Sequence, residues 1–104
     1  MAESVSFIVR NLDPQLLRRL QRDARAEKRS LQDFIRQVLC EHYDLDCPAI
    51  GATPRMELGA RTKRVLLNRE VWAALKEDSE ETGESMQQLV HQALAQRYVT
   101  EQAA

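Results

Sequence analysis

The chain has little of what chemistry or membrane crossing would require. Two of its three glycines, Gly51 and Gly59, share one short segment with two of its three prolines, so no glycine-rich loop is present to cradle a phosphate. A nucleophile elbow and a paired carboxylate set are also missing, and an enzyme is not expected. No apolar run approaches the roughly 20 residues of a membrane span. The N-terminus, with Glu3 and no long apolar stretch, does not read as a secretion signal, which makes a cytoplasmic location the expectation. The two cysteines, Cys40 and Cys47, then read as reduced thiols. With His42 they match no standard zinc spacing and lack a fourth ligand, so neither a metal nor another cofactor is expected. His91 and Trp72 read as a solvated side chain and a core-edge aromatic, not as ligands.

Charge of one sign is missing too. The net charge of −1 excludes a chain coated in basic residues, but the average conceals a gradient. Residues 1–43 hold eight Lys/Arg against six Asp/Glu, and residues 61–104 hold six against seven. Arg18, Arg19, Arg22, Arg25, Lys28 and Arg29 in the first segment contrast with Glu77, Asp78, Glu80, Glu81 and Glu84 in the second. Any function the two halves share is performed unequally.

What the chain does have is a repeat. Shifted by 55 residues without gaps, Leu12, Leu20, Asp23, Ser30, Gln32, Gln37, Leu39 and Tyr43 fall on Leu67, Leu75, Asp78, Ser85, Gln87, Gln92, Leu94 and Tyr98. Apolar character carries over where identity does not, with Leu31 on Met86, Phe34 on Leu89, Ile35 on Val90 and Val38 on Ala93. A copy of about 40 residues is usually too small to hold a core alone, so the two are expected to fold against each other. Unit 1 takes residues 1–43, a linker 44–60 carries Pro48, Gly51, Pro54 and Gly59, and unit 2 takes 61–104, all as one joint globular domain.

Each unit reads as strand, helix, helix. Val5, Phe7 and Val9 alternate with smaller or polar residues at the period of a half-buried strand. Asp13-Pro14 then combines an N-cap side chain with proline at the first helical position, and Leu16, Leu17, Leu20 and Ala24 follow at helical spacing to about Lys28. Ser30-Leu31-Gln32-Asp33 and Ser85-Met86-Gln87-Gln88 share the spacing of a capping box and should open the second helix of each unit. That helix should bury Leu31, Phe34, Ile35, Val38, Leu39 and Tyr43, leaving Arg36 and its counterpart His91 exposed. In unit 2, Asn68 is expected to cap the first helix and Gly83 to end it in the left-handed conformation, where unit 1 has the less comfortable Lys28.

A lone strand leaves both edges open, and its nearest complement is the equivalent strand, paired antiparallel. The 17 residues of the linker span at most roughly 55 to 60 Å, ample for the return. The expected fold is mainly α with a two-stranded antiparallel β-ribbon, two β-α-α units forming an intramolecular pair.

These residues resemble the ribbon-helix-helix DNA-binding proteins, the superfamily of the Arc and MetJ repressors. The resemblance rests on Val9-Arg10-Asn11-Leu12-Asp13 before the first helix, on Asn68-Arg69-Glu70-Val71 in the second copy, and on the Ser-capped helices at Ser30 and Ser85. Unit 1 is similar to the antitoxin-like branch and unit 2 to the Arc branch. Such proteins are usually homodimers, so a tandem copy implies a single-chain pseudo-dimer. The resemblance implies that the strands enter the major groove of double-stranded DNA with alternate side chains on base edges, and that each second helix points its free amides at a phosphate.

With Val5, Phe7 and Val9 inward, the base-reading candidates on the first strand are Ser6, Ile8 and Arg10. On the second strand two registers stay open: Thr62, Arg64 and Leu66 outward, or Arg61, Lys63 and Val65 outward. The phosphate candidates are Lys28, Arg29, Ser30 and Leu31 at one helix start and Ser85 and Met86 at the other, where Glu84 would oppose an anion. Function then divides three ways: a transcriptional repressor, an antitoxin-like module binding a toxin protein, or an accessory DNA protein of a plasmid or phage. Antitoxins of this type usually carry a partner-binding tail, and only Val99 to Ala104 follow the last identical pair, which favours the repressor. Two pseudo-dimers side by side on DNA, in a nucleoid-associated protein, complete the expectation.

Overall fold

The structure, a computed structural model, describes residues 4–45 and 61–103, so most of the expected linker, with Cys47, lies outside the described residues. The chain runs β1 Ser4–Val9, α1 Pro14–Ala26, α2 Leu31–His42, β2 Lys63–Asn68, α3 Arg69–Thr82 and α4 Met86–Ala103. It is mainly helical with one two-stranded antiparallel sheet, in which β1 pairs with β2. No described helix is long and apolar enough to cross a membrane.

Local chemistry accounts for most boundaries. Asp13 caps α1 by accepting from Leu16 N at 3.1 Å, with Pro14 as the first helical residue. Ser30 caps α2 through Asp33 N at 3.1 Å. At the start of α4 the capping box closes both ways: Gln88 N donates to Ser85 Oγ at 3.1 Å, and Ser85 N donates to Gln88 Oε1 at 3.0 Å. Gly83 leaves α3 with φ +78°, and Lys28 occupies the same conformational region after α1 with φ +57°. Asn68 departs from its expected role. It stands at the N-cap of α3 but makes no capping bond, because its Oδ1 accepts from Arg36 Nη1 at 2.9 Å.

Both halves contribute to one continuous core. Val9, Leu12, Leu20, Phe34, Ile35 and Leu39 from the first meet Val65, Leu67, Val71, Leu75, Val90 and Leu94 from the second, all fully or almost fully buried. Each residue set is amphipathic at the period of its own element, and burial of an apolar side chain contributes about 1.5 to 3 kcal/mol, so shared burial is the main force joining the halves. Two hydroxyl-carboxylate bonds also cross between them: Tyr43 Oη donates to Asp78 Oδ2 at 3.0 Å, and Tyr98 Oη donates to Asp23 Oδ2 at 2.7 Å. Trp72 is half-buried at the core edge beneath the Lys76 ammonium, 5.2 Å from its ring centre.

Three expectations need correction. Arg36 is 2% exposed, not solvated. Its Nη2 and Nε donate to Asp33 Oδ1 at 2.8 and 3.3 Å while Nη1 takes Asn68, so the buried charge is paired and its donors are used. His91 is half-buried, with Nε2 enclosed and without a hydrogen-bond partner. Cys40 is buried and disulfide-bonded, where a reduced thiol was expected.

Candidate nucleic-acid interface

The ribbon divides its side chains between two faces. Register pairs Val5 with Leu67, Phe7 with Val65 and Val9 with Lys63, and between them Ser4 with Asn68, Ser6 with Leu66 and Ile8 with Arg64. The first set turns toward the helices, and Val9, Val65 and Leu67 are completely buried. Ser6, Ile8, Arg64 and Leu66 of the second set therefore point away from the core, because successive side chains alternate across a strand. The register that would turn Arg61, Lys63 and Val65 outward does not occur. Val65 fills the core, and Lys63 shares its parity at the ribbon end.

The failure of that gapless register has a local cause. Val9 stands four residues before the Asp13 cap, whereas Val65 stands three before Asn68. The extra residue is Asn11, held at φ +54°. Asparagine tolerates the left-handed region better than most residues, so it absorbs one position without disturbing either strand or helix. Helices thus correspond at a shift of 55 and strands at 56. Under that correspondence Ser6, Ile8 and Arg10 occupy the same places as Thr62, Arg64 and Leu66.

The outer face is organised before any ligand arrives. Arg64 Nε donates to Ser6 Oγ at 2.8 Å, diagonally across the ladder from its own partner Ile8. Gln87, in the first turn of α4, grips the backbone of β1 from behind. Its Nε2 donates to Ile8 O, and its Oε1 accepts from Arg10 N at 3.1 Å. Those two bonds set the direction in which the Ile8 and Arg10 side chains leave the ribbon. Gln87 was not among the candidates, although its identity with Gln32 across the repeat was the available signal. Arg10 itself is exposed, beside an open cleft of about 450 Å³ lined by Asn11, Gln87, Gln88, His91 and Gln92. That lining contains no carboxylate. Thr62 is half-exposed just ahead of β2, and Arg61 is exposed, its carbonyl accepting from Leu12 N at 3.0 Å.

The two helix starts differ less than their neighbours in sequence imply. At α2, Lys28, Arg29 and Ser30 are exposed and Leu31 half-buried. Asp33, however, lies in the first turn, and Arg29 is drawn toward carboxylates, 3.5 Å from Asp33 Oδ2 and 3.7 Å from Glu27 Oε1. At α4 no acid occupies the first turn, with Ser85 exposed, Met86 half-buried and Glu84 just outside. Each start therefore combines free amides with one nearby carboxylate, inside the turn in one case and before it in the other.

Comparison with known proteins bears on the first half. No curated protein matches the chain, and no solved structure matches it. Residues 6–42, which take in most of β1 with α1 and α2, match the family model described as antitoxin FitA-like, ribbon-helix-helix. That match supports a ribbon-helix-helix family for this segment of the chain.

Proposed function

We propose that the protein binds double-stranded DNA in a sequence-specific manner by laying its β-ribbon in the major groove, and that it acts as a transcriptional repressor by occupying a promoter. The carrying observation is the ribbon itself. One face is sealed into the core while the other presents Ser6, Ile8 and Arg64 beside Leu66, with Arg10 exposed at the strand end. A two-stranded ribbon fits the major groove, and arginine can bond a guanine at two acceptors, serine several bases, and isoleucine or leucine a thymine methyl. The helix starts at Ser30 and Ser85 flank this surface in the proposal and hold the backbone through free amides aided by Lys28 and Arg29.

In this reading residues 1–43 and 61–104 are two ribbon-helix-helix units of one pseudo-dimer joined by 44–60, working without enzymatic activity or cofactor. The reciprocal Tyr–Asp bonds and the shared core support the intramolecular arrangement. Selection of bound sequences from a random DNA pool tests it. Recovery of one asymmetric motif is expected, and recovery of no motif would count against it.

A second reading has its own observation. The family matched by residues 6–42 is described as an antitoxin, so binding of a toxin protein is the alternative. Capture of a neighbouring gene product with no enriched DNA motif would favour that reading over the first.

A further inference from the structure

The outer faces of α1 and α3 carry opposite charge at two equivalent places, Arg22 against Glu77 and Arg25 against Glu80, while Arg18 falls on Ala73. Along α1 the exposed Arg18, Arg22 and Arg25 line an open groove of about 400 Å³ together with Gln21 and Ala26. Steps of four and three residues keep the three guanidinium groups on one stripe. One repeat later, Arg22, Arg25 and Ala26 become Glu77, Glu80 and Glu81, all exposed on α3. Helix α1 packs chiefly on α2, and α3 on α4 and the ribbon, so that among the described residues neither stripe is covered by another element.

We infer that these stripes are the two sides of a self-association contact, in which the arginine groove of one chain receives the glutamate stripe of a second copy. Charge complementarity commits the surface to that occupant. An acidic segment of another protein would use the arginines alone, whereas a second copy also accounts for the reversed charge at the equivalent place. Contacts of α1 with α1, or of α3 with α3, are opposed by like charge, so only the unlike contact is attractive. Each chain offers one stripe of each kind, and such a contact is heterologous: it repeats head to tail and does not close after two chains. The net charge of −1 adds little general repulsion. Exposed ion pairs are individually weak and screened by salt, so association is expected to be concentration-dependent and confined to low ionic strength. This contact does not rest on the DNA reading, and its test contains no DNA.

Sedimentation equilibrium of the full chain at about 0.02 M and about 0.5 M salt reads the contact, because screening lengths differ several-fold between them. At low salt the weight-average mass should climb above 12.0 kDa with concentration and return to it at high salt. Arg18→Glu with Arg25→Glu makes both faces acidic, and Glu77→Arg with Glu81→Arg makes both basic. Each variant alone should remain at the monomer mass at low salt, and an equimolar mixture should associate again. Circular dichroism establishes that each is folded, and Arg18→Gln with Arg25→Gln, expected to weaken association several-fold, replaces the reversed variant if it is not. A wild-type chain that stays monomeric at low salt overturns the inference. So does either folded variant that associates as wild type does, or a mixture that does not recover association.

Discussion

Tyr98 donates its hydroxyl hydrogen to Asp23 at 2.7 Å, joining α4 to α1 across the two halves of the chain. The same bond is made a second time by Tyr43 and Asp78, at 3.0 Å, with all four residues exchanged by the shift of 55. Four positions that appear in the sequence as two unrelated identities, an Asp pair and a Tyr pair, are therefore one interaction used twice. Each bond ties the second helix of one half to the first helix of the other, and loss of the hydroxyl would leave the carboxylate without that donor while loss of the carboxylate would leave the hydroxyl without its acceptor.

Removing the hydroxyls separately should show two independent contributions. Tyr98→Phe and Tyr43→Phe are each expected to lower unfolding free energy by about 1 to 2 kcal/mol, the usual worth of a bond to a charged acceptor in a partly exposed setting. The two pairs share no partner, so the double variant should lose about the sum. Urea unfolding midpoints with an unchanged denaturant dependence measure this. A double variant no less stable than the weaker single one would contradict it.

The same bonds make stability depend on pH at both ends of the scale. Burial pushes the Asp23 carboxyl up, but the Tyr98 hydroxyl and the Arg22 guanidinium together outweigh it and hold the group below its ordinary value. A depressed folded pKa contributes stability that is present above the unfolded value of about 4 and is lost as pH falls through the folded one. For Tyr43, burial first and then the Asp78 carboxylate push the hydroxyl above its ordinary value of 10.0. Its proton is held more tightly in the folded state, so its contribution is complete below about pH 10 and declines as pH rises toward the folded pKa. Unfolding followed from pH 7 to pH 11 should therefore show wild type losing stability that Tyr43→Phe does not, and the two curves should converge.

Lys28 and Gly83 do the same backbone work with different residues, which gives a paired test. Gly83 sits at φ +78°, where an added Cβ would meet nothing within 4 Å, so Gly83→Ala carries only the conformational penalty, about 1 kcal/mol. Lys28 already bears that penalty at φ +57°, and Lys28→Gly should raise stability by about the same amount. Thermal midpoints should move in opposite directions for the two variants. Under the proposed function Lys28→Gly should also weaken binding to all DNA sequences, separating stability from affinity in one residue.

Most of the architecture was legible because it follows from local rules. The alternation of Val5, Phe7 and Val9, the Asp13-Pro14 cap and the serine caps each need only a few neighbouring residues to specify an element. What was not legible depends on contacts between distant segments. Arg36 looks solvated by helical period, yet it is covered by the end of β2, whose Asn68 lies 32 residues away. Gln87 looks like a polar surface residue until β1, with Ile8 79 residues away, is placed beside it. The register of β2 was open because a one-residue insertion is silent in a gapless comparison, and only the left-handed Asn11 locates it. The helix start at Ser30 looked more favourable for an anion than it is, since Asp33 was read as a capping residue and not as the carboxylate that engages Arg29 and Arg36.

The outward row of the ribbon predicts the shape of the DNA site. Ile8 and Arg64 are paired at its centre, Ser6 and Leu66 follow toward one end, and Arg10 and Thr62 lie toward the other. Equivalent places hold unlike residues, Arg10 against Leu66 and Ile8 against Arg64, so the preferred site within one footprint should be non-palindromic. Arg10→Ala and Arg64→Ala should each cost about 1 to 3 kcal/mol at one base position, with the Arg64 position nearer the centre of the site. Because Arg64 is held by Ser6, Ser6→Ala should weaken discrimination at the Arg64 position as well as at the position Ser6 itself faces, while leaving the Arg10 position unchanged. Phosphate-facing changes should behave differently. Neutralising Lys28 and Arg29 together should weaken binding to all sequences and flatten its salt dependence, and Glu84→Lys should strengthen it without altering sequence choice, because such contacts act through counterion release. The checks are selected-sequence logos for each variant and affinities measured across a range of salt concentrations. If Arg10→Ala and Arg64→Ala leave both logo and affinity untouched, the ribbon is not the DNA surface, and the toxin-binding reading takes its place.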